Sequence, residues 1–79
     1  MNTETYASRY SRTSEHRGIT MTLIGYWIDL AAYYRGSDGN AWAYQRGWTN
    51  CGPVAEFCAR LHAGRVRGKL LADGQGVAL

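Results

Sequence analysis

The stretch Ile19-Thr20-Met21-Thr22-Leu23-Ile24-Gly25-Tyr26-Trp27-Ile28-Asp29-Leu30-Ala31-Ala32-Tyr33-Tyr34 decides the fold, because it supports two periodicities. Leu23, Tyr26, Trp27, Leu30 and Tyr34 fall at helical spacing. Ile19, Met21 and Leu23 also alternate with Thr20 and Thr22, and beyond Gly25 the inward set becomes Tyr26, Ile28, Leu30, Ala32 and Tyr34. A change of phase at a glycine is what a β-bulge produces. The residues that follow favour the strand. Gly36-Ser37-Asp38-Gly39-Asn40 is turn chemistry, and Ala41 to Trp48 resumes a period of two with Trp42, Tyr44 and Arg46 on one side, which together predict a hairpin. A helix closed by Gly36 is the competing reading, since Ala31-Ala32 favours helix and glycine is the usual terminator.

Downstream, Gly52 and Pro53 form a helix start, and Val54, Phe57, Cys58 and Leu61 make an apolar seam at i, i+3, i+4 and i+7. Glu56 and Arg60 are spaced to pair on its outer side, and Gly64 ends it. Val66 to Ala72, with Arg65, Arg67 and Lys69 interleaved, reads as a third strand before the turn Asp73-Gly74-Gln75-Gly76 and the apolar end Val77-Ala78-Leu79. Upstream, residues 1–18 contain no Leu, Val, Ile or Phe and read as a polar arm, disordered or forming an edge strand. Met21 is an alternative start. The expected fold is α+β: a small antiparallel sheet, made of a hairpin plus a third strand, covered by one helix, with residues 19–79 as a single domain.

With 79 residues the chain holds one small domain and buries only about 60% of its unfolded surface. Leu, Ile, Val and Phe number 13, few enough to raise disorder, but three Trp and six Tyr and a net charge of only +3 favour a folded, aromatic-heavy core. Such a core is marginal alone, and a homodimer is one way to cover it. The polar start has no secretory h-region, so a cytoplasmic location in a host cell is expected. The charge-free run Gly18 to Ile28 falls short of the roughly 20 apolar residues that cross a bilayer, so no membrane is expected. Two Cys and two His without a close pair predict no metal site, and no cofactor motif is present.

Three sets of residues carry candidate functions. Cys51-Gly52-Pro53 at a helix mouth would favour thiolate. With His16, Asp29 and Gln45 upstream, the order His, Asp, Gln, Cys-Gly resembles the cysteine peptidases that process ubiquitin-like modifiers, in which His and Asp activate the thiol and Gln holds the oxyanion. The intervals here are too short for that family's fold, and His16 is followed by Arg17 rather than an aromatic residue, so Cys51 and Cys58 read as buried apolar residues and no enzyme is expected. His62 reads as a charge compensating the helix end. Arg9, Tyr10, Arg12 and Arg17 in the arm, together with Tyr33, Tyr34, Arg35, Arg46, Trp48, Arg65, Arg67 and Lys69, combine cations with aromatic platforms, as direct nucleic-acid binding requires. Ten aromatics exceed what so short a chain can bury, so several of Tyr10, Tyr33, Trp42, Tyr44 and Trp48 are expected at the surface, where Tyr, Trp and Arg dominate interfaces.

In size, Arg- and Ala-rich composition and lack of an assembled catalytic set, the chain is similar to the small inhibitors carried by phages, and among them resembles anti-CRISPR proteins. That resemblance implies binding to a CRISPR effector and obstruction of its access to target DNA. The expected function is a non-enzymatic inhibitor that grips a host protein or nucleoprotein complex through Tyr33, Tyr34, Arg35, Trp42, Arg46, Trp48, Arg65, Arg67 and Lys69, with direct nucleic-acid binding as the alternative.

Overall fold

A computed structural model describes residues 10–27 and 30–71. The chain order is β1 (Thr13–His16), β2 (Ile19–Trp27), β3 (Ala31–Gly36), β4 (Asn40–Tyr44), β5 (Trp48–Pro53), a helix α1 (Val54–His62) and β6 (Lys69–Leu70). Strands β1 to β5 follow one another as an antiparallel meander, and β6 pairs with β2. The free edge of β2 is shared. Its first half faces β1, from Thr13↔Thr22 to His16↔Ile19, and its second half faces β6 through Gly25↔Leu70 and Tyr26↔Lys69. The α+β class is as expected; the sheet has six strands rather than three.

The extra strands come from turns that carry weak sequence signals. The expected single strand across residues 19–34 is two strands, joined where the Leu30 N–H donates to the Trp27 carbonyl at 2.8 Å. No Gly or Pro marks that connection. Ala41 to Trp48 also divides, at Gln45-Arg46-Gly47, where Arg46 takes φ of 63° and the Gln45 N–H donates to the Gly47 carbonyl. A left-handed arginine is uncommon enough to escape pattern reading. The strand expected over Val66 to Ala72 contracts to Lys69–Leu70, because a series of bends occupies the residues after α1. Part of the polar arm, Thr13–His16, takes the edge-strand form. Residues 1–9 and Val77-Ala78-Leu79 lie outside the described residues.

Between β2 and β3 the register runs Leu23↔Tyr34 and then Gly25↔Tyr33, leaving Ile24 as the extra residue of a bulge. This is the phase change seen at Gly25. Its effect is to bury both sides of the strand. Met21, Leu23 and Tyr26 join Ala32, Tyr34 and Leu71 on one face. Ile24 joins Ala31, Tyr33 and Ala41 on the other, against Phe57, Cys58 and Leu61 of α1. The helix runs straight out of β5, with Pro53 at φ −54° as its cap residue. Its Arg60 does not take the expected pairing with Glu56; the guanidinium instead donates to the Cys51 carbonyl at 2.7 Å.

The face away from the helix is concave. From β1 to β5 a flat sheet spans four strand spacings, about 19 Å. His16 on β1 and Trp48 on β5 nonetheless bring their ring centroids within 5.7 Å, which only a tightly curled sheet allows. Two glycines permit close approaches. A Cβ on Gly25 would lie 2.5 Å from the Lys69 carbonyl oxygen, and one on Gly36 would strike the Trp42 indole at 2.9 Å. Gly25→Ala is therefore expected to push β6 off β2 and cost about 2 to 3 kcal/mol, lowering the thermal midpoint by roughly 10 to 20 °C at this size. Thermal melts followed by circular dichroism check this, with Gly47→Ala, where a Cβ meets nothing within 4 Å, as the mild comparison.

Candidate functional site: an aromatic cleft on the concave face

Strands β3, β4 and β5 each contribute a ring to the concave face. Tyr44 and Trp48 are directly opposed across the β4–β5 ladder. The Trp48 ring stands 5.0 Å from Tyr34 at 65° and 5.0 Å from Tyr44 at 60°. These tilted, edge-on contacts are the favoured arrangement for aromatic quadrupoles, and they leave ring faces standing as walls. The Tyr34 hydroxyl donates to the Ser11 carbonyl at 2.7 Å, tying the segment before β1 to the middle of the sheet. His16 packs against Trp42 at 5.6 Å as well as against Trp48, so the cluster bridges the two ends of the meander.

Trp42 is held by the turn that precedes it. The Asp38 carboxylate accepts from the Asn40 backbone N–H and side-chain amide at 3.1 Å each, and from the Trp42 indole N–H at 3.3 Å. Desolvation pulls this carboxyl upward, but the hydrogen-bond donors together outweigh it and hold it below its ordinary value. The aspartate of the hairpin turn thus also orients a ring of the cluster.

The walls enclose an open cleft of about 360 Å³ lined by Tyr10, Ser11, Ser14, Tyr34, Tyr44 and Trp48. Beside it lies a second depression of about 430 Å³, lined by Tyr10, Leu30, Tyr44, Gln45 and Arg46. Tyr10 and Tyr44 belong to both and divide them. Leu30 and Tyr44, 49% and 43% exposed, are the large apolar side chains left open to solvent among the described residues, and both border the second depression.

Of the residues expected to form one binding surface, Tyr34, Trp42, Arg46 and Trp48 lie on or beside this face. The others do not. Tyr33 points to the helix side, where it is buried against Phe57 at 5.0 Å and its hydroxyl donates to the Arg67 carbonyl. Arg35, two residues along β3 and so on the same side as Tyr33, is half-buried, and its Nε is buried without an acceptor. Arg65, Arg67 and Lys69 are exposed but do not share a strand face. They follow the helix, with the Arg67 guanidinium 5.8 Å over the Trp27 ring. Successive residues of β3 face opposite ways, and both sides of that strand are apolar, so composition could not sort the rings by face. Leu30, Ser11 and Ser14 were missed because their role depends on the curl of the sheet. An apolar residue directly after Asp29 was the signal available for Leu30.

The Cys51 set is not assembled. Cys51 lies on β5, not at the helix mouth, and packs with the helix-side cluster, whereas His16 stands on the concave face. Gln45 sits in the β4–β5 turn, and Asp29 is outside the described residues. Burial pushes the Cys51 thiol up, and lowering contributions from the Ala43 backbone and Arg60 do not cancel it. Burial likewise raises Cys58. Among the described residues no three His, Cys, Asp or Glu gather as metal ligands, and no helix is long and apolar enough to cross a membrane. Comparisons with protein-family models, curated proteins and solved structures return no match.

Burial also raises Tyr33 and Tyr34 above their ordinary value of 10.0, with smaller contributions from neighbouring ionisable groups, Tyr10 among them for both. The folded protein thus holds the protons of both thiols and both phenols more tightly than the unfolded chain. Their contribution to stability is complete below the ordinary values and is lost as pH rises through the raised ones. The thermal midpoint is expected to fall as pH is taken above 9.0, the ordinary thiol value. Alkylation of both cysteines at neutral pH should be slower in the native protein than in urea, by an amount that mass spectrometry can follow.

Proposed function

We propose that this chain is a non-enzymatic binding domain that inhibits a host protein or nucleoprotein complex by docking on it with the concave aromatic face. The observation that carries this reading is the exposed pair Leu30 and Tyr44 on the concave face, where Tyr44 lines two adjoining depressions, one backed by Trp48 and the other bordered by Leu30 and Arg46. A large exposed tyrosine beside a partly buried tryptophan and an arginine is the residue chemistry of an interface anchor. The mode of inhibition is occupancy: a domain of this size covers a surface on its target and excludes whatever uses that surface. The anti-CRISPR resemblance makes a CRISPR effector complex the first target to try, with blocked access to DNA as the effect.

The placement of charge supports a protein surface over nucleic acid as the target of the cleft. Among the described residues Arg46 is the one cation that lines either depression, while Arg65, Arg67 and Lys69 lie on the segment after the helix. In nuclease-treated host lysate the tagged protein should retain a single partner in fixed ratio, and Tyr44→Ala should weaken that retention by about tenfold or more. Moderate salt should change it little, whereas phosphate-based binding would fall steeply. Loss of the partner on nuclease treatment, or retention undiminished in Tyr44→Ala, would overturn the proposal.

A further inference from the structure

The two depressions on the concave face repeat the same element, a slot with a tyrosine wall. Tyr10 and Tyr44 stand between them as a common ridge, with Trp48 behind one slot and Leu30 beside the other. Two aromatic slots that share a tyrosine ridge suit a ligand with a regular, rigid repeat and flat apolar groups. A polyproline II segment has that shape, with three residues per turn and a rise of about 3.1 Å, so that same-side groups recur about every 9 Å. Its proline rings pack between aromatic walls, and little conformational freedom is left to lose on binding.

The polar groups of the site match the same ligand. Polyproline II has no internal hydrogen bonds, so its carbonyls are free acceptors. The Trp48 indole N–H and the Tyr44 hydroxyl have no partner among the described residues and are donors for them. Among the described residues no carboxylate lines either depression, and Arg46 borders the outer one. That charge disfavours a cationic ligand and selects an anionic group at this end. The single lining cation among the described residues makes no track for a strand of nucleic acid, whose backbone needs one.

We propose that the paired slots are a docking groove for a proline-rich segment in the polyproline II conformation, carrying an acidic residue at the end that lies by Arg46. This rests on the reading of the concave face as the binding surface and names the chemistry of what it takes. The groove would grip two proline-containing dipeptides astride the Tyr10–Tyr44 ridge.

The test is titration of the full chain, followed by Trp fluorescence, with three synthetic probes. These are a Pro-x-x-Pro peptide ending in two glutamates, a Gly/Ser peptide of the same length and charge, and an oligothymidylate. The proline peptide should bind at least about tenfold more tightly than the Gly/Ser peptide, and Tyr44→Ala, an exposed position, should remove most of that preference. Arg46→Asp, with a residue that tolerates the left-handed turn, should weaken the glutamate peptide several-fold and turn the preference toward a lysine-ended one. Equal binding of the proline and Gly/Ser peptides overturns the inference. So does Tyr44-dependent binding of the oligothymidylate that is tighter than that of the peptide, or a dimer in sedimentation that Tyr44→Ala dissolves. If the proline peptide fails while Tyr44-dependent retention of a host protein persists, this inference falls and the binding-domain reading stands; if that retention is Tyr44-independent, both fall.

Discussion

One extra residue in β2 sets the organisation of this small protein. Ile24, inserted between Leu23 and Gly25, turns the strand so that Leu23 enters one core and Ile24 the other. A chain with 13 Leu, Ile, Val and Phe residues cannot fill two full layers with aliphatic groups. It fills one with the helix residues Phe57, Cys58 and Leu61, and the other with tyrosine and tryptophan rings that curl the sheet around themselves. Bulges increase local twist, and a six-stranded sheet of short strands bends readily when one is placed in its central ladder. The concave face and its cleft follow from that bend.

The two faces differ in how completely they enclose their rings. On the helix side Tyr33 is sealed against Phe57 and its hydroxyl is satisfied by a backbone carbonyl. On the concave side Tyr34 has its own hydroxyl satisfied by Ser11, yet its ring also serves as the back wall of an open cleft. Tyr44, one strand further, is left outside. Burial thus grades across the aromatic cluster from a structural ring to an exposed one, and the exposed end is where Leu30 and Arg46 are found.

Much of this was legible in the residues. The helix announced itself through Pro53, the spacing of Val54, Phe57, Cys58 and Leu61, and Gly64 beyond it, because amphipathic spacing and terminal signals agreed. The bulge was legible as a shift of alternation at Gly25. The turns after Trp27 and Tyr44 were not, since the first has no Gly or Pro and the second places an arginine in a conformation usually left to glycine, asparagine or aspartate. Each missed turn merged two strands, and merging β4 with β5 hid the fact that Trp48 opposes Tyr44. Tyr33 and Tyr34 could not be told apart beforehand, because neighbouring residues on a strand point to opposite sides and here both sides are apolar. The arginine count pointed to one basic surface, while the fold disperses it, leaving Arg46 with the aromatic cleft and Arg67 stacked over Trp27.

The meander does not close on itself through a backbone ladder: β1 and β5 are not neighbours in the sheet order, and His16 and Trp48 meet there ring to ring. Ring contacts slide, whereas ladder bonds must break. The seam between the first and last strands of the meander is therefore a line of compliance, along which the mouth of the cleft can widen or narrow with every strand pairing intact. Side-chain packing, with no hydrogen-bonded ladder across the seam, sets the separation of its two sides.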